Sequence, residues 1–512
     1  MGSIEIRGAG LSIADVVDVA RHDARVTLAD SAREAMAHSA ALVDSFIARD
    51  RPVYGITTGF GSLADTVIPE ERTSELQVAL VRSHAAGMGE PVEREVVRAM
   101  LLLRARSLAM GRSGARPVLV DQQMALLNAG LTPVVPEYGS LGASGDLAPL
   151  AHCALAMIGE GHVARNGDLI PASAALAGAG IEPVVLRAKE GLALINGTDG
   201  ILGMLVLAVT DLEVLARLAD VTAAMSVEAL LGTDRAFAAD LQALRPQVGQ
   251  QVSAANLRRL LAGSPIVASH REGDPRVQDA YSLRCTPQVH GAALDTIAHA
   301  RVIAERELDA AIDNPMILPD GRVESCGNFH GAPLGFACDF LAIAVAELSA
   351  ICERRTDRLL DATRSHGLPP FLAPDPGVNS GLMIAHYTQA AMATENKRLA
   401  APASVDSLPT SAMQEDHVSM AWSAARKLRR AIDTLRRVLA VEMVCAARAI
   451  DLRAPLAPAA GTGSAVGALR AHVDGAGPDR WLSPELVAAD DLMRSGAVLD
   501  AVESAIGTLD VV

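Results

Sequence analysis

The sequence predicts an all-α protein in which a long central helical bundle is joined to a smaller, mixed N-terminal part. Half of the 512 residues are hydrophobic but only 3% are aromatic, so the core must consist mainly of Ala, Leu, Val and Ile. Ala and Leu are strong helix formers. Long stretches place apolar residues at helical spacing, whereas strand patterns are few and short. A chain of this length can bury a large core.

The N-terminal part, residues 1–198, is rich in glycine, and its helical stretches are broken by turns. We place the domain boundary after it, so that residues 199–512 form the long-helix bundle and the C-terminal part. In the N-terminal part the patterns predict helices over 30–49, 69–86 and 92–110, and strands around 162–170 and 183–187.

The bundle begins with the segment 200–231, which we expect to end at Gly232 because glycine is the usual residue after a helix. The apolar stripe of this segment consists of Leu205, Leu212, Leu215 and Leu218. Segment 423–450 has a similar stripe of Leu428, Ile432, Leu435 and Leu439, with arginine on the other face. The patterns predict two further long helices, over 285–312 and 333–364.

Charge and cysteine usage exclude several classes of function. A net charge of −15 argues against nucleic acid as a partner. Six cysteines are scattered singly, which indicates reduced thiols in the cytoplasm. The histidines lack paired-ligand spacing, so we expect no metal. We expect neither a signal peptide nor a membrane span, because the apolar stretches near 201–210 and 334–351 are short or interrupted by charges.

The segment 139–149 reads Gly-Ser-Leu-Gly-Ala-Ser-Gly-Asp-Leu-Ala-Pro and predicts a tight loop ahead of a helix. It matches neither a dinucleotide-binding nor a P-loop motif. The amide nitrogen of Gly145 can attack the carbonyl carbon of Ala143. Loss of two waters, one of them with the hydroxyl of Ser144, then gives a methylidene-imidazolone (MIO), which is an electrophile. An ordinary turn remains the alternative, because Ala-Ser-Gly is a common tripeptide.

Residues 139–152 resemble the signature of the aromatic amino acid ammonia-lyases, and further segments resemble other motifs of that family in the same order. These segments are Tyr-Gly-Ile-Thr-Thr-Gly-Phe-Gly (54–61), Leu-Ile-Asn-Gly-Thr (194–198), Gln-Asp-Ala-Tyr-Ser-Leu-Arg-Cys (278–285), Asp-Asn-Pro (313–315), Gly-Asn-Phe-His-Gly (327–331) and Gln-Glu-Asp-His-Val-Ser-Met (414–420). The resemblance implies a carbon–nitrogen lyase with a self-formed MIO and no external cofactor. It also implies a homotetramer whose active sites are shared between subunits.

Within that family, the segment 83–87 and Glu415 are typical of the enzymes that act on histidine. Glu415 suits that substrate because an imidazole gives a carboxylate a hydrogen-bonding partner. The implied reaction is non-oxidative elimination of ammonia from L-histidine to give trans-urocanate. Departures from the family pattern occur at Asp199, Thr286, His290 and Met413. A tyrosine or phenylalanine lyase, or an aminomutase, remains the alternative. A helical scaffold without catalysis is a weaker one, and the signature of the fumarase-like lyases is absent.

The resemblance assigns roles to individual residues. Tyr54 is the candidate general base, whose pKa would have to be lowered, and Ala143, Ser144 and Gly145 form the electrophile. Asp146 either assists this cyclisation or caps the following helix. Whether the substrate amine or its ring adds to the electrophile is left open.

The remaining candidates surround the substrate, and Tyr281 among them is counted with the catalytic residues. Arg284 matches its carboxylate bidentately, with a surface ion pair as the alternative. Asn196 contacts the amine or the oxygen of the MIO, with a simple turn residue as the alternative. The other assignments are Tyr281 and Gln278 around the amine and the electrophile, Phe329 against the tripeptide, and His84 with Glu415 around the imidazole.

Overall fold

The computed structural model describes residues 3–47, 58–59, 66 and 68–512, and these residues are mostly helical with a few short strands. The predicted all-helical fold is therefore confirmed. The chain forms two compact units. The first consists of Met1–Leu207, Ala300–Asp339 and Pro402–Arg426, and the second of Ala208–His299, Phe340–Ala401 and Lys427–Val512. The domain boundary after residue 198 is a different division of the chain and stays a prediction.

The first unit contains a set of helices of moderate length and the beginning of a much longer one. They are α1 (Ile13–His22), α2 (Asp30–Ile47), α3 (Thr73–His84), α4 (Arg94–Ala109), α5 (Pro117–Asn128), α6 (Leu147–Met157), α7 (Ala172–Gly178), α8 (Glu190–Ile195) and α9 (Asp199–Ala229). Helix α4 packs against α1 and α5, whereas α3, α6 and α8 pack against one another. The helices predicted over 30–49, 69–86 and 92–110 correspond to α2, α3 and α4.

Helix α4 is buried along nearly its whole length and contains three buried arginines. Their guanidinium groups donate to backbone carbonyls of neighbouring segments. Arg104 donates to the carbonyls of Asn196 and Ile312, both at 2.8 Å, and forms an ion pair with Asp199 at 3.2 Å. These bonds satisfy carbonyl groups that no helix or sheet satisfies. Helix α4 thereby fixes the turn that precedes α9.

Short sheets complete the first unit. Strands β1 (Ile4–Ile6) and β2 (Val26–Leu28) pair in parallel, and β3 (Met88–Pro91) pairs antiparallel with β5 (Pro136–Tyr138). Strand β4 (Thr132–Pro133) joins β6 (His162–Arg165) and β7 (Asp168–Pro171) in an antiparallel sheet, and β8 (Met316–Ile317) pairs with β9 (Val323–Glu324). The strand region predicted around 162–170 is therefore confirmed as the hairpin of β6 and β7.

The strand predicted around 183–187 is wrong. This segment has no regular secondary structure and forms no ladder, although the amide of Val184 donates to the carbonyl of Met157 at 3.0 Å. Pro183 has no N–H to donate, and Val185 is 76% exposed. Apolar β-branched residues alone do not form a strand when no neighbouring segment lies alongside.

The second unit is a bundle of long helices with shorter ones after them. It contains the remainder of α9, α10 (Ala239–Ala243), α11 (Val248–Leu260), α12 (Pro265–Ala268), α13 (Tyr281–Arg284), the first part of α14 (Thr286–Leu308), most of α15 (Ala332–Leu360), α16 (Met383–Leu399), most of α17 (Ala421–Asp451), α18 (Ala460–Arg470), α19 (Ser483–Arg494) and α20 (Ala497–Ile506). The chain passes between the units within α9, α14, α15 and α17, and also in the connection between α16 and α17. All residues of the two predicted leucine-rich stripes are buried.

The end of α9 differs from the prediction in one respect. Gly232 does donate from its amide to the carbonyl of Val227, at 2.7 Å. The left-handed residue is Leu231, with φ of 52°. The helix thus ends before the glycine, as expected, but the left-handed conformation that favours glycine lies one residue earlier.

His290, one of the departures noted in the sequence, is buried in the second unit. Its Nδ1 lies 2.8 Å from Oδ1 of Asp220, and its Nε2 lies 3.4 Å from the guanidinium of Arg355. Arg355 in turn pairs with Glu442, which also accepts from Thr222 and Ser226. His290 therefore belongs to a buried polar cluster of the bundle.

Two helical segments, Glu190–Ala229 and Ala332–Leu360, are long and apolar enough to cross a membrane by length and composition. Their most apolar windows are 100% and 67% buried in the protein. Such burial is typical of the core helices of a folded domain, which pass the same hydropathy test.

Candidate active site

The Ala-Ser-Gly tripeptide lies in a loop of the first unit, directly before α6. Two glycines of this loop, Gly142 and Gly145, have φ of 63° and 70°. A Cβ on Gly145 would lie 2.2 Å from the carbonyl oxygen of Gly197, which no side chain tolerates. Only glycine fits at this position, because both the left-handed backbone and the close approach exclude a side chain.

Asp146, the residue after the tripeptide, is completely buried and connects the loop to the start of α9. Its Oδ1 accepts from the hydroxyl of Ser140 at 2.9 Å, and its Oδ2 accepts from the amides of Gly200 and Ile201 at 2.8 and 3.0 Å. Burial raises the pKa of Asp146 to about 7. Its carboxyl group thus caps α9, and it makes no capping bond to α6, the helix that follows it.

The other side of the loop is held by the segment before α17. The hydroxyl of Ser419 donates to the carbonyl of Gly142 at 2.7 Å, and the amide of Met420 donates to the carbonyl of Leu141 at 2.8 Å. Ala143 is buried against Val418 and Met420. The tripeptide is therefore fixed on two sides, by α9 and by the segment before α17.

Ser144 opens into a cavity of about 490 Å³ in the first unit. Apolar side chains of α3, α6 and α8 form much of its wall, and a few polar groups converge on it, as is usual in small-molecule sites. The described lining residues are Gly59, Thr66, Ile68, Leu76, Ala79, Leu80, Ser83, His84, Ser144, Leu147, Leu192, Asn196, Ser411 and Glu415.

Glu415 and His84 are the titratable groups of this lining. The hydroxyl of Ser144 donates to Oε1 of Glu415 at 3.3 Å. Nδ1 of His84 lies 2.9 Å from the carbonyl oxygen of Leu80, so this nitrogen carries the proton and Nε2 carries the lone pair. Burial lowers the pKa of His84, which keeps its ring neutral at neutral pH. The cavity thus presents a carboxylate and an imidazole acceptor beside Ser144.

Asn196 lies at the end of α8, on the wall of the same cavity. Its backbone is fixed by Arg104, which accounts for its position before α9. Its side-chain Oδ1 is buried and has no hydrogen-bond partner among the described residues. An unpaired buried amide oxygen in a cavity wall is able to accept a hydrogen bond from a bound molecule.

Four of the predicted site residues line the cavity, namely His84, Ser144, Asn196 and Glu415. A fifth, Ala143, is buried behind Ser144. Gly145 completes the loop. Phe329 is half-buried in the first unit and is not part of the apolar cluster around Ala143. Tyr54 lies outside the described residues.

Gln278, Tyr281 and Arg284 belong to the second unit and do not line this cavity. Gln278 is exposed, and Tyr281 is 72% exposed. The guanidinium carbon of Arg284 lies 4.6 Å from the centre of the Tyr281 ring, which is a cation–π contact. Nε of Arg284 is buried without a hydrogen-bond partner among the described residues.

The sequence interpretation missed several residues that shape the site. Ser140 and Ser419 lie inside the recognised motifs, so motif membership was the available signal, but nothing marked them as partners of the loop. Arg104 and Thr410 lie outside those motifs. Thr410 donates from its hydroxyl to Oε2 of Glu415 at 3.1 Å, and no spacing pattern in the sequence connects the two.

The mostly helical fold and the cavity at Ser144 of the Ala-Ser-Gly loop are the features that the sequence predicted for an ammonia-lyase. The comparison with known families agrees with this class. The model of the aromatic amino acid lyase family matches residues 11–471. This chain belongs to that family.

Individual relatives can be named. The histidine ammonia-lyase of Streptomyces avermitilis is 58% identical over 511 residues, which cover 99% of this chain and 100% of that protein. Among solved structures, tyrosine aminomutase from Streptomyces globisporus has a TM-score of 0.94 at 36% identity, covering 99% of this chain and 100% of that one. Histidine ammonia-lyase from Trypanosoma cruzi has a TM-score of 0.91 at 40% identity, covering 98% and 96%.

Proposed function

We propose that this protein is an ammonia-lyase that eliminates ammonia from L-histidine and releases trans-urocanate. The observation that carries the proposal is that Glu415 and His84 line the same cavity as Ser144. A carboxylate and a neutral imidazole are acceptors for ring N–H groups, and a phenyl ring has none to offer. The histidine ammonia-lyases among the relatives, at 48–58% identity, support the same substrate.

The tripeptide Ala143-Ser144-Gly145 fits the formation of a methylidene-imidazolone. Gly145 is held in a left-handed conformation where a Cβ would collide with Gly197, so the loop is already bent at the residue whose amide nitrogen must attack. When formed, this group supplies an exocyclic carbon that accepts electron density from the substrate. No external cofactor is needed for that chemistry.

The side chains of this chain then bind and orient the substrate. His84 and Glu415 hold the imidazole, and the unpaired Oδ1 of Asn196 accepts from the substrate amine. The apolar walls from α3, α6 and α8 exclude water from the reacting atoms. Tyr54 remains our candidate for the base that removes the β-proton.

Arg284 is proposed to bind the substrate carboxylate. Tyr281 and Gln278 are proposed to surround the substrate amine and the electrophile. The buried, unpaired Nε of Arg284 supports a role in binding an anion. We further propose a cytoplasmic homotetramer in which these residues reach the cavity of another subunit. Phe329 is proposed to pack against the tripeptide.

Turnover of L-histidine, L-tyrosine and L-phenylalanine, measured side by side, tests the substrate. The conjugated product is followed by ultraviolet absorbance, and ammonia is assayed independently. We expect urocanate from histidine and much slower turnover of the other two. Preference for tyrosine or phenylalanine would contradict our interpretation of His84 and Glu415.

A tyrosine aminomutase is the second candidate, because the solved tyrosine aminomutase has a TM-score of 0.94 with this chain. Such an enzyme would return ammonia to the β-carbon. Chromatography of the products separates the two activities, since an aminomutase yields a β-amino acid from tyrosine and a lyase yields only the unsaturated acid and ammonia.

A further inference from the structure

The segment from Thr410 to Glu415 is a tight loop closed at both ends. The amide of Thr410 donates to the carbonyl of Glu415 at 2.8 Å, and the amide of Glu415 donates back to the carbonyl of Thr410 at 3.2 Å. The three residues Ser411, Ala412 and Met413 between them have φ of 51°, 52° and 73°. Non-glycine residues hold this conformation only when the surrounding structure imposes it. The backbone of Glu415 is therefore closely fixed.

A fixed backbone does not by itself orient a glutamate side chain, which has three rotatable bonds. The two carboxylate oxygens of Glu415 are engaged by different residues. Oε2 accepts from the hydroxyl of Thr410 at 3.1 Å, and Oε1 accepts from the hydroxyl of Ser144 at 3.3 Å. The bond to Thr410 thus decides which oxygen faces Ser144 and the cavity.

We propose that Thr410 is a positioning residue, whose hydroxyl holds the carboxylate of Glu415 in the orientation that binds the substrate ring. This inference rests on the proposed function, because it takes Glu415 to be a substrate-binding group. Ser144 cannot perform this task in the mature enzyme, since its hydroxyl is lost when the tripeptide cyclises. Thr410 is then the described side chain that still restrains Glu415.

Replacing Thr410 by valine tests the role, since valine has nearly the same shape but lacks the hydroxyl. We expect kcat/KM for L-histidine to fall by about tenfold, as is usual when a hydrogen bond to a charged group is lost. Thr410→Ser, which retains the hydroxyl, should recover most of the activity. The matched control is Thr388→Val, because the exposed hydroxyl of Thr388 donates to the carbonyl of Ile384 within its own helix, away from the cavity.

A double-mutant cycle shows whether Thr410 acts through Glu415. We expect Thr410→Val to lower kcat/KM in the parent enzyme and to have no further effect in a Glu415→Ala background, assayed at high enzyme concentration. Calorimetric binding of imidazolepropionate, which cannot react, provides a second readout with the same expected pattern. Equal losses in both backgrounds, or no rescue by serine, would overturn the proposal.

The outcomes also separate this proposal from the proposed function. If the parent protein neither turns over L-histidine nor binds imidazolepropionate, both are wrong. If the parent protein does both and Thr410→Val matches it, the function stands and only the positioning role is wrong. Thermal midpoints of the variants close to that of the parent show that a loss of activity is not a loss of fold.

Discussion

Ser144 is the residue on which the proposed chemistry depends. We expect Ser144→Ala to abolish activity almost completely, because the variant lacks the hydroxyl from which the electrophile forms. The fold should be retained, because the half-buried side chain is replaced by a smaller one that needs no hydrogen bond. Intact mass measures the cause directly: the parent chain should be lighter than its sequence by two waters, and the variant should have its full mass. The control Ser464→Ala removes a hydroxyl that donates to the carbonyl of Ala460 in its own helix and should change neither activity nor mass loss.

Asp146 makes stability depend on pH. Burial raises its pKa from 3.8 to about 7, so the folded state favours the protonated carboxyl group. Its contribution to the free energy of unfolding is therefore full below 3.8 and is lost as the pH rises through about 7. We expect the thermal midpoint of the parent, relative to that of Asp146→Asn, to decline over that range. A difference that is constant with pH would show that Asp146 does not titrate there.

Residue-level roles were predictable only where a motif carried them. The family resemblance brought Ser144, His84, Asn196 and Glu415 into one hypothesis, and the structure places all four on one cavity. The same motif predicted that Asp146 could cap α6, the helix that follows it. The carboxyl group of Asp146 instead caps α9, where it accepts from the amide of Gly200, 54 residues further along. Sequence order identifies the nearest helix, whereas the contact depends on packing.

At the scale of single elements, α4 offers a direct comparison between a buried and an exposed ion pair. Arg104 is fully buried with Asp199, whereas Arg94 is 48% exposed and pairs with Asp23. We expect Arg104→Met to lower the free energy of unfolding by about 3–5 kcal/mol, because it leaves a buried carboxylate without its partner. Arg94→Met should cost no more than about 1 kcal/mol. Denaturant midpoints measure both, and equal shifts would contradict this account.

The long helices were predictable because apolar residues recur along them at helical spacing, as in the stripe from Leu428 to Leu439. The ends of these helices were less predictable from the sequence. Leu231, rather than Gly232, adopts the left-handed conformation that favours glycine, which local preference does not predict. The apolar run at 183–187 contained no information about whether another segment would pair with it.

At the scale of the whole molecule, the proposed sharing of sites between subunits is testable by complementation. Ser144→Ala and Arg284→Ala should each be inactive alone, whereas co-expression should restore about a quarter of the sites if Ser144 and Arg284 come from different subunits. Size-exclusion chromatography with light scattering checks that mixed tetramers form.

The matched control for complementation is co-expression of Ser144→Ala with Glu415→Ala. These two side chains contact each other within one chain, so every site in a mixed tetramer keeps one defect and no activity should return. Recovery of activity in this control would contradict the proposed arrangement. The absence of any recovery when Ser144→Ala is co-expressed with Arg284→Ala would contradict it as well.

The buried cluster of Asp220, His290, Arg355 and Glu442 has a consequence for how this lineage can change. Loss of Arg355 or Glu442 leaves the other charge buried without its partner, at a cost that few proteins can absorb. Single substitutions there should be eliminated by selection, whereas paired ones can survive. Across descendants of a common ancestor, these four positions should therefore be inherited as a set and be exchanged together.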